Sequence, residues 1–183
     1  MQQRQVNPIM DLFKDNNRIL IAGSTWPKDE SLLLEWINNS PFNNLKFIIA
    51  PHDVDSIRIH ELTVKMALPT VRLSALNPGN ALSARVIIVD SIGQLPSLYT
   101  YGNVAYIGGG FNAGIHNILE AAVCGLPIIF GPNHTKSQEA VDLLQLNAAY
   151  SIHDSRSFEI CMAKLLSNES ISGKAGVIAK KYG

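Results

Sequence analysis

The sequence predicts an α/β fold: a Rossmann-like parallel sheet of about six strands with helices on both faces. Three observations carry that expectation. Short apolar runs alternate with helical patterns in a regular rhythm. The loops that follow the runs collect the glycines and unusual polar residues, as the ligand edge of an open parallel sheet does. The chain has 183 residues of which 46% are apolar, enough to bury one core and the length of one domain, residues 1–183.

The elements follow in order. RILIAGS from Arg18 is a first strand, LKFIIAP from Leu45 a second, TVRLSA from Thr70 a third and RVIIVD from Arg85 a fourth. NVAYIGG from Asn103 and PIIFGP from Pro127 complete the run, with a weak last strand near Ala149. Helical patterns lie between them at Lys28 to Asn39, Val54 to Ala67, Gln94 to Tyr101, His116 to Cys124, Ser137 to Leu146 and Ser155 to Ser167. The tail from Glu169 to Gly183 reads as another helix, starting after NES, with no packing partner legible in the sequence. Trp26 and Trp36 are read as packing at a domain edge rather than stacking on a base.

Composition excludes several classes. Fifteen basic residues balance fifteen acidic ones, so the charge footprint of a non-specific nucleic-acid binder is missing and no nucleic-acid partner is expected. Cys124 and Cys161 have neither C-x-x-C nor Cys/His metal spacing and read as reduced core thiols. No acidic cluster has metal spacing either, so a metal-independent site with no cofactor is expected. No run approaches the roughly 20 apolar residues of a membrane span, and the polar start MQQRQVNPIM is unlike a signal peptide, so the chain reads as cytoplasmic.

The densest signal runs from Tyr101 to Pro132: strand, glycine-rich turn, polar helix start and second strand. Glycines at 108, 109, 110 and 114 let backbone bend and approach a ligand, and a helix start offers unpaired N–H groups to an anion. His116 can donate to a phosphate, orient the loop, or act as a base, its free pKa of about 6.5 lying near neutrality. Glu120, four residues on, can accept hydrogen bonds from sugar hydroxyls. The combination points to a nucleotide sugar. Neither a dinucleotide fingerprint after the first strand nor a P-loop is present, and Ser91 lacks the G-x-S-x-G setting of a nucleophile. Ser24 and Thr25 cap the following helix, touch substrate, or do both. His52 faces the cleft or solvent, and Lys136 with Glu139 holds a sugar carboxylate and a hydroxyl or forms a solvated pair.

Together these motifs resemble the carboxyl-terminal domain of bacterial 3-deoxy-D-manno-octulosonic acid (Kdo) transferases, from about Ile19 to Leu144. The most specific part is G-x-H-N-x-L-E, matched by Gly114, His116, Asn117, Leu119 and Glu120, followed by G-x-P-[IV] at Gly125 to Ile128. Support comes from GST with trailing acids at Gly23 to Glu30, D-[ST]-x-G-x-L at Asp90 to Leu95, and a GP segment with a glutamate at Gly131 to Glu139. Two positions depart. The family usually has Pro-Arg-His where this chain has Pro51, His52 and Asp53, and a glutamate where it has Gln94. Either His52 takes the place of the arginine's cationic contact or the charge is distributed differently.

The resemblance implies one half of a GT-B glycosyltransferase that binds the donor CMP-Kdo and serves transfer to a lipid A precursor in lipopolysaccharide biosynthesis. It implies that the general base, the acceptor site and the membrane contact belong to an amino-terminal acceptor domain absent from this chain. The whole enzyme is then expected at the cytoplasmic face of the inner membrane, with these residues soluble and inactive alone. By the same resemblance, N–H groups from Gly110 and the start of a Gly114-to-Glu120 helix, with His116 and Asn117, stabilise the leaving phosphate. Glu120 holds the ribose. Pro51, His52, Ser91, Ile92 and Gly93 surround the base, and Ser24, Thr25, Lys136 and Glu139 face phosphate or Kdo. The alternatives are a UDP-sugar glycosyltransferase or epimerase domain and a non-catalytic nucleotide-binding module.

Overall fold

The computed structural model describes residues 7–183; Met1 to Val6, which contain most of the polar start, lie outside the described residues. The chain opens with a helix that the sequence reading passed over, α1 (Pro8–Lys14). Its signal is local: the Asn7 side chain accepts from the N–H groups of Ile9 and Met10, and Pro8 stands where no N–H is needed. Met10 and Phe13 then insert into the core.

The strands are β1 (Arg18–Thr25), β2 (Leu45–Pro51), β3 (Thr70–Arg72), β4 (Val86–Ile88), β5 (Val104–Ile107), β6 (Ile128–Phe130) and β7 (Ala149–Ser151). The helices between them are α2 (Pro27–Asn38), α3 (Ser56–Lys65), α4 (Leu95–Tyr99), α5 (Leu119–Val123), α6 (Gln138–Gln145), α7 (Ser155–Ser167) and α8 (Glu169–Tyr182). The strands form one seven-stranded sheet in the order β3-β4-β2-β1-β5-β6-β7, and each neighbouring pair is parallel. The expected α/β architecture is therefore present, and the weak strand near Ala149 is its edge.

Both faces are covered because alternate strand residues feed two cores. Ile19, Ile21, Ile48, Ile87, Ala105 and Phe130 meet α1, α4, α5 and α6 on one face. Leu20, Phe47, Ile49, Val86, Tyr106 and Ile129 meet α2, α3 and α7 on the other. Trp36 lies in this second core against Phe42, Phe47 and Phe158, not at a domain edge. Cys161 is buried there, which pushes its thiol up to about 12, and both cysteines are free thiols.

The structure departs from three sequence expectations. The third run is a strand only to Arg72 and then tightens into a 3-10 turn, Leu73–Ala75. The helix expected from His116 begins at Leu119, so residues 114–118 are loop. The terminal helix does have a partner: α8 packs on α5 and α7. Ala175, Gly176 and Ala179 form its buried strip, and a Cβ on Gly176 would stand 2.2 Å from the Gly125 carbonyl oxygen. Small residues allow that approach, a pattern an apolar-periodicity reading passes over. Among the described residues, no helix is long and apolar enough to cross a membrane.

Candidate functional site

The strand order reverses between β1 and β5: the chain runs outward from β1 to β2 on one side and from β5 through β6 to β7 on the other. At such a switch point the loops leaving neighbouring strands diverge to opposite faces and open a crevice at the carboxyl edge. Here the two loops are Ser24 to Trp26 and Gly108 to Ile118.

A buried carboxylate binds these loops together. Asp29, 0% exposed, sits in the first turn of α2. Its Oδ2 accepts the backbone N–H groups of Trp26 and Gly109, both at 2.9 Å, while Oδ1 accepts the Tyr106 hydroxyl at 2.6 Å. Burial, and then the charge of Asp29, push the Tyr106 phenol far up, so it remains a donor. Beside it, Glu30 accepts the Thr25 hydroxyl at 3.0 Å and pairs with Arg58 at 3.1 Å. Thr25 is 0% exposed and therefore supports the cleft from beneath, rather than lining it as expected. Neither Ser24 nor Thr25 caps α2; Trp26 stands at that position. Ser24 holds φ +53, a conformation costing a non-glycine residue about 1–2 kcal/mol.

Three rings meet at the switch point. The Trp26 indole N–H donates to Nε2 of His116 at 2.7 Å, and the two rings are within 6° of parallel. His52, arriving on the loop after β2, stacks on both at centroid distances of 4.6 and 4.5 Å. The structure thus brings His52 and His116 together and adds Trp26, which the sequence reading had placed at a domain edge. Burial, then the neighbouring His52, lower the pKa of His116, with Asp29 opposing. A depressed folded pKa favours the neutral ring, so its contribution to stability is complete above the unfolded value of about 6.5 and is lost as pH falls through the folded value. His116→Gln is expected to flatten that part of the acid-side decline in Tm, which thermal melts across mildly acidic pH would measure.

The glycines serve packing between the loops. A Cβ on Gly108 would stand 2.2 Å from the Ser24 carbonyl oxygen, and one on Gly110 would stand 2.5 Å from the Gly131 amide nitrogen. Their small size lets three loops pack backbone to backbone, which sets the cleft's shape. Gly114, at φ +145, needs glycine for its conformation. The N–H groups of Gly114 and His116 are taken by the carbonyls of Gly109 and Gly108, and that of Leu119 by the Asn117 side chain at 3.0 Å. An anion here would therefore meet a folded loop with a short helix behind it, rather than the continuous Gly114-to-Glu120 helix expected.

Asn117 is exposed and donates to Glu120 at 3.2 Å, an orientation that leaves the second carboxylate oxygen free of that bond. The segment Ser91, Ile92 and Gly93 carries the chain from β4 to α4, whose Leu95 and Tyr99 pack against Gly23 of β1. Ser91 and Gly93 are exposed, and Ile92 is 84% exposed. Pro51 is buried at the end of β2. Lys136 is exposed ahead of α6, and Glu139 accepts the hydroxyl of Ser137 at 2.9 Å. The sequence reading missed Asp29 as an organiser, although its place in a helix first turn was visible.

A depression of about 320 Å3 lies at the opposite edge of the sheet beside Arg18, Asn103 and Pro127. Its cation is committed: Arg18 pairs with Glu169 at 2.7 Å and donates to the Leu166 carbonyl. No group of three or more His, Cys, Asp or Glu side chains with metal-binding geometry occurs among the described residues.

No family model matches the chain. It is 33% identical over 158 residues to a 3-deoxy-D-manno-octulosonic acid transferase of Rickettsia prowazekii (strain Madrid E), covering 85% of this chain and 34% of that protein. It is 32% identical over 170 residues to one from Rickettsia typhi (strain ATCC VR-144 / Wilmington), covering 91% and 37%. The chain thus spans about a third of the length of these relatives. Among solved structures, the C-terminal CMP-Kdo binding domain of WaaA from Acinetobacter baumannii is similar at TM-score 0.79 and 25% identity, covering 94% of this chain and 92% of that one. A glycosyltransferase from Rickettsia africae ESF-5 shares the fold at TM-score 0.66 and 14% identity, covering 97% of this chain but 47% of the other. The architecture is that of one half of a GT-B glycosyltransferase.

Proposed function

We propose, from the premise that this chain is a relative of the 3-deoxy-D-manno-octulosonic acid transferases, that residues 1–183 form the domain that binds the CMP-Kdo donor in lipopolysaccharide biosynthesis. The observation that carries the reading is a coincidence of place. The motif that resembles those enzymes, Gly114 to Glu120, follows β5 at the β1/β5 switch point, the place where open parallel sheets take their ligands. The likeness to a domain named for CMP-Kdo binding, over nearly the full length of both chains, supports it.

In the reaction so assigned, an acceptor hydroxyl attacks the anomeric carbon of Kdo and CMP departs, so negative charge grows on the phosphate. Donors already held in place stabilise that charge without reorganising. The His116 ring and the Asn117 amide supply them, carried on the loop that Gly110 and Gly114 shape. Glu120, oriented by Asn117, accepts the ribose hydroxyls. His52 and the Ser91 to Gly93 segment meet the base, with Pro51 beneath. Ser24, Lys136 and Glu139 face phosphate or Kdo, and the buried Thr25 braces the loop after β1 through Glu30. The acceptor, a lipid A precursor, the general base and the membrane contact at the cytoplasmic face of the inner membrane are assigned to an amino-terminal acceptor domain outside these residues, so this half alone binds without transferring.

Calorimetric titration with CMP, CDP, UMP and UDP tests the reading, and CMP is expected to bind best. A clear preference for a uridine diphosphate defeats it and selects the UDP-sugar alternative. Glu120→Ala is expected to weaken CMP binding about 10- to 100-fold, the worth of hydrogen bonds to a charged group, with Tm nearly unchanged. Parallel losses in affinity and Tm would mark Glu120 as a structural carboxylate.

A further inference from the structure

We infer that Trp26 fixes the tautomer of His116, holding its proton on Nδ1, and thereby turns that ring into a standing hydrogen-bond donor at the switch-point crevice. Trp26 is a positioning residue in this scheme. The indole Nε1 can only donate, and it lies 2.7 Å from Nε2 of His116. That nitrogen must therefore present its lone pair, and in the neutral ring the proton resides on Nδ1. Protonating Nε2 would set two N–H groups head to head.

The surroundings favour this arrangement of the rings. His52 stacks on both at about equal distance, 4.6 and 4.5 Å. The Trp26 backbone is tied to buried Asp29, and the His116 N–H is tied to Gly108. The Cδ2 edge of His116 faces Gly109, where a Cβ would stand 3.1 Å away, so Nδ1 lies on the other edge of the ring. Among the described residues Nδ1 meets no acceptor. The charged and titratable groups that act on the ring are His52, which opposes a second proton, and Asp29, which favours one; the carboxylate nearest in its own segment, Glu120, is engaged by Asn117. The acceptor for Nδ1–H is the phosphate of a nucleoside monophosphate, a step that rests on the donor-binding reading above.

Long-range proton–nitrogen NMR of the ligand-free, 15N-labelled protein reads the tautomer without any ligand. His116 is expected to show a protonated Nδ1 and an unprotonated Nε2 that persist on acidification through about pH 6.5, where a free imidazole titrates. In Trp26→Phe, which keeps an aromatic ring under His52 and removes the donor, the His116 ring is expected to titrate. His52→Ala, which spares the indole bond, should keep the Nδ1–H pattern, and with the wild-type spectrum it decides the matter even if Trp26→Phe fails to fold. A proton on Nε2 in the wild type, or the same titration in wild type and Trp26→Phe, overturns the inference. With CMP as the probe, the variant-to-wild-type affinity ratio should change with pH, and a constant ratio counts against the contact. If CMP binds neither protein, the donor-binding reading and the phosphate contact fall, and the ligand-free spectra still decide the tautomer.

Discussion

Asp29→Ala is expected to lower stability by about 3–5 kcal/mol, the range for breaking a buried hydrogen-bond network, and to abolish measurable CMP binding. One carboxylate serves three donors from three places in the chain: the Trp26 N–H, the Gly109 N–H and the Tyr106 hydroxyl. Alanine leaves them without that partner, and each buried donor left unmet costs about 1–3 kcal/mol. In a domain of this size 1 kcal/mol moves Tm by about 2–4 °C, so thermal melts should show a fall of about 10 °C. Asp29→Asn should cost less, because its amide oxygen can still accept both backbone N–H groups while its NH2 donates to the tyrosine oxygen. Binding follows, since Oδ2 is the point where the loops after β1 and β5 are joined, and Trp26 and His116 depend on that junction. An Asp29→Ala protein that melts within a degree or two of wild type would show that the loops hold themselves.

That network also marks where sequence reading ends. The strands were legible because β1, β2, β4, β5 and β6 are buried apolar runs bounded by turn residues, and local composition alone predicts those. The order of the strands was not legible, since pairing β5 with β1 depends on contacts about 80 residues apart. The G-x-H-N-x-L-E motif identified the right loop but misplaced the start of its helix: Asn117 accepts the Leu119 N–H two residues on, a local turn that delays helix entry. The setting of the Trp26 ring was not legible because the partners of that ring are remote in sequence. Its neighbours in space, His52 and His116, lie 26 and 90 residues away and meet it only because three parallel strands end at one level. Thr25 was assigned to the ligand by its place in a GST motif, whereas the bulge between Gly23 and Thr25 turns its hydroxyl inward to Glu30.

Gly108→Ala is expected to be strongly damaging to both stability and CMP binding. The added methyl would stand 2.2 Å from the Ser24 carbonyl oxygen and 2.7 Å from the Thr25 Cα, and both obstacles are backbone. No side-chain rotation relieves the contact, so the loop after β5 must move away from β1, at a cost at or above the usual 1–3 kcal/mol of overpacking. Ser24 cannot yield easily, because it already sits at φ +53. The displaced segment carries Gly109 away from Asp29 and His116 away from Trp26, so CMP affinity should fall together with Tm. Two other glycines calibrate the result. Gly93→Ala meets no atom within 4 Å but holds φ +82, so it should cost only about 1–2 kcal/mol for its left-handed backbone. Gly173→Ala, in open space within α8, should raise stability by about 0.5–1 kcal/mol through helix propensity. Chemical denaturation of the three variants beside wild type measures the series. If Gly108→Ala proves no worse than Gly93→Ala, then backbone-to-backbone packing between the loops after β1 and β5 does not set the shape of the crevice.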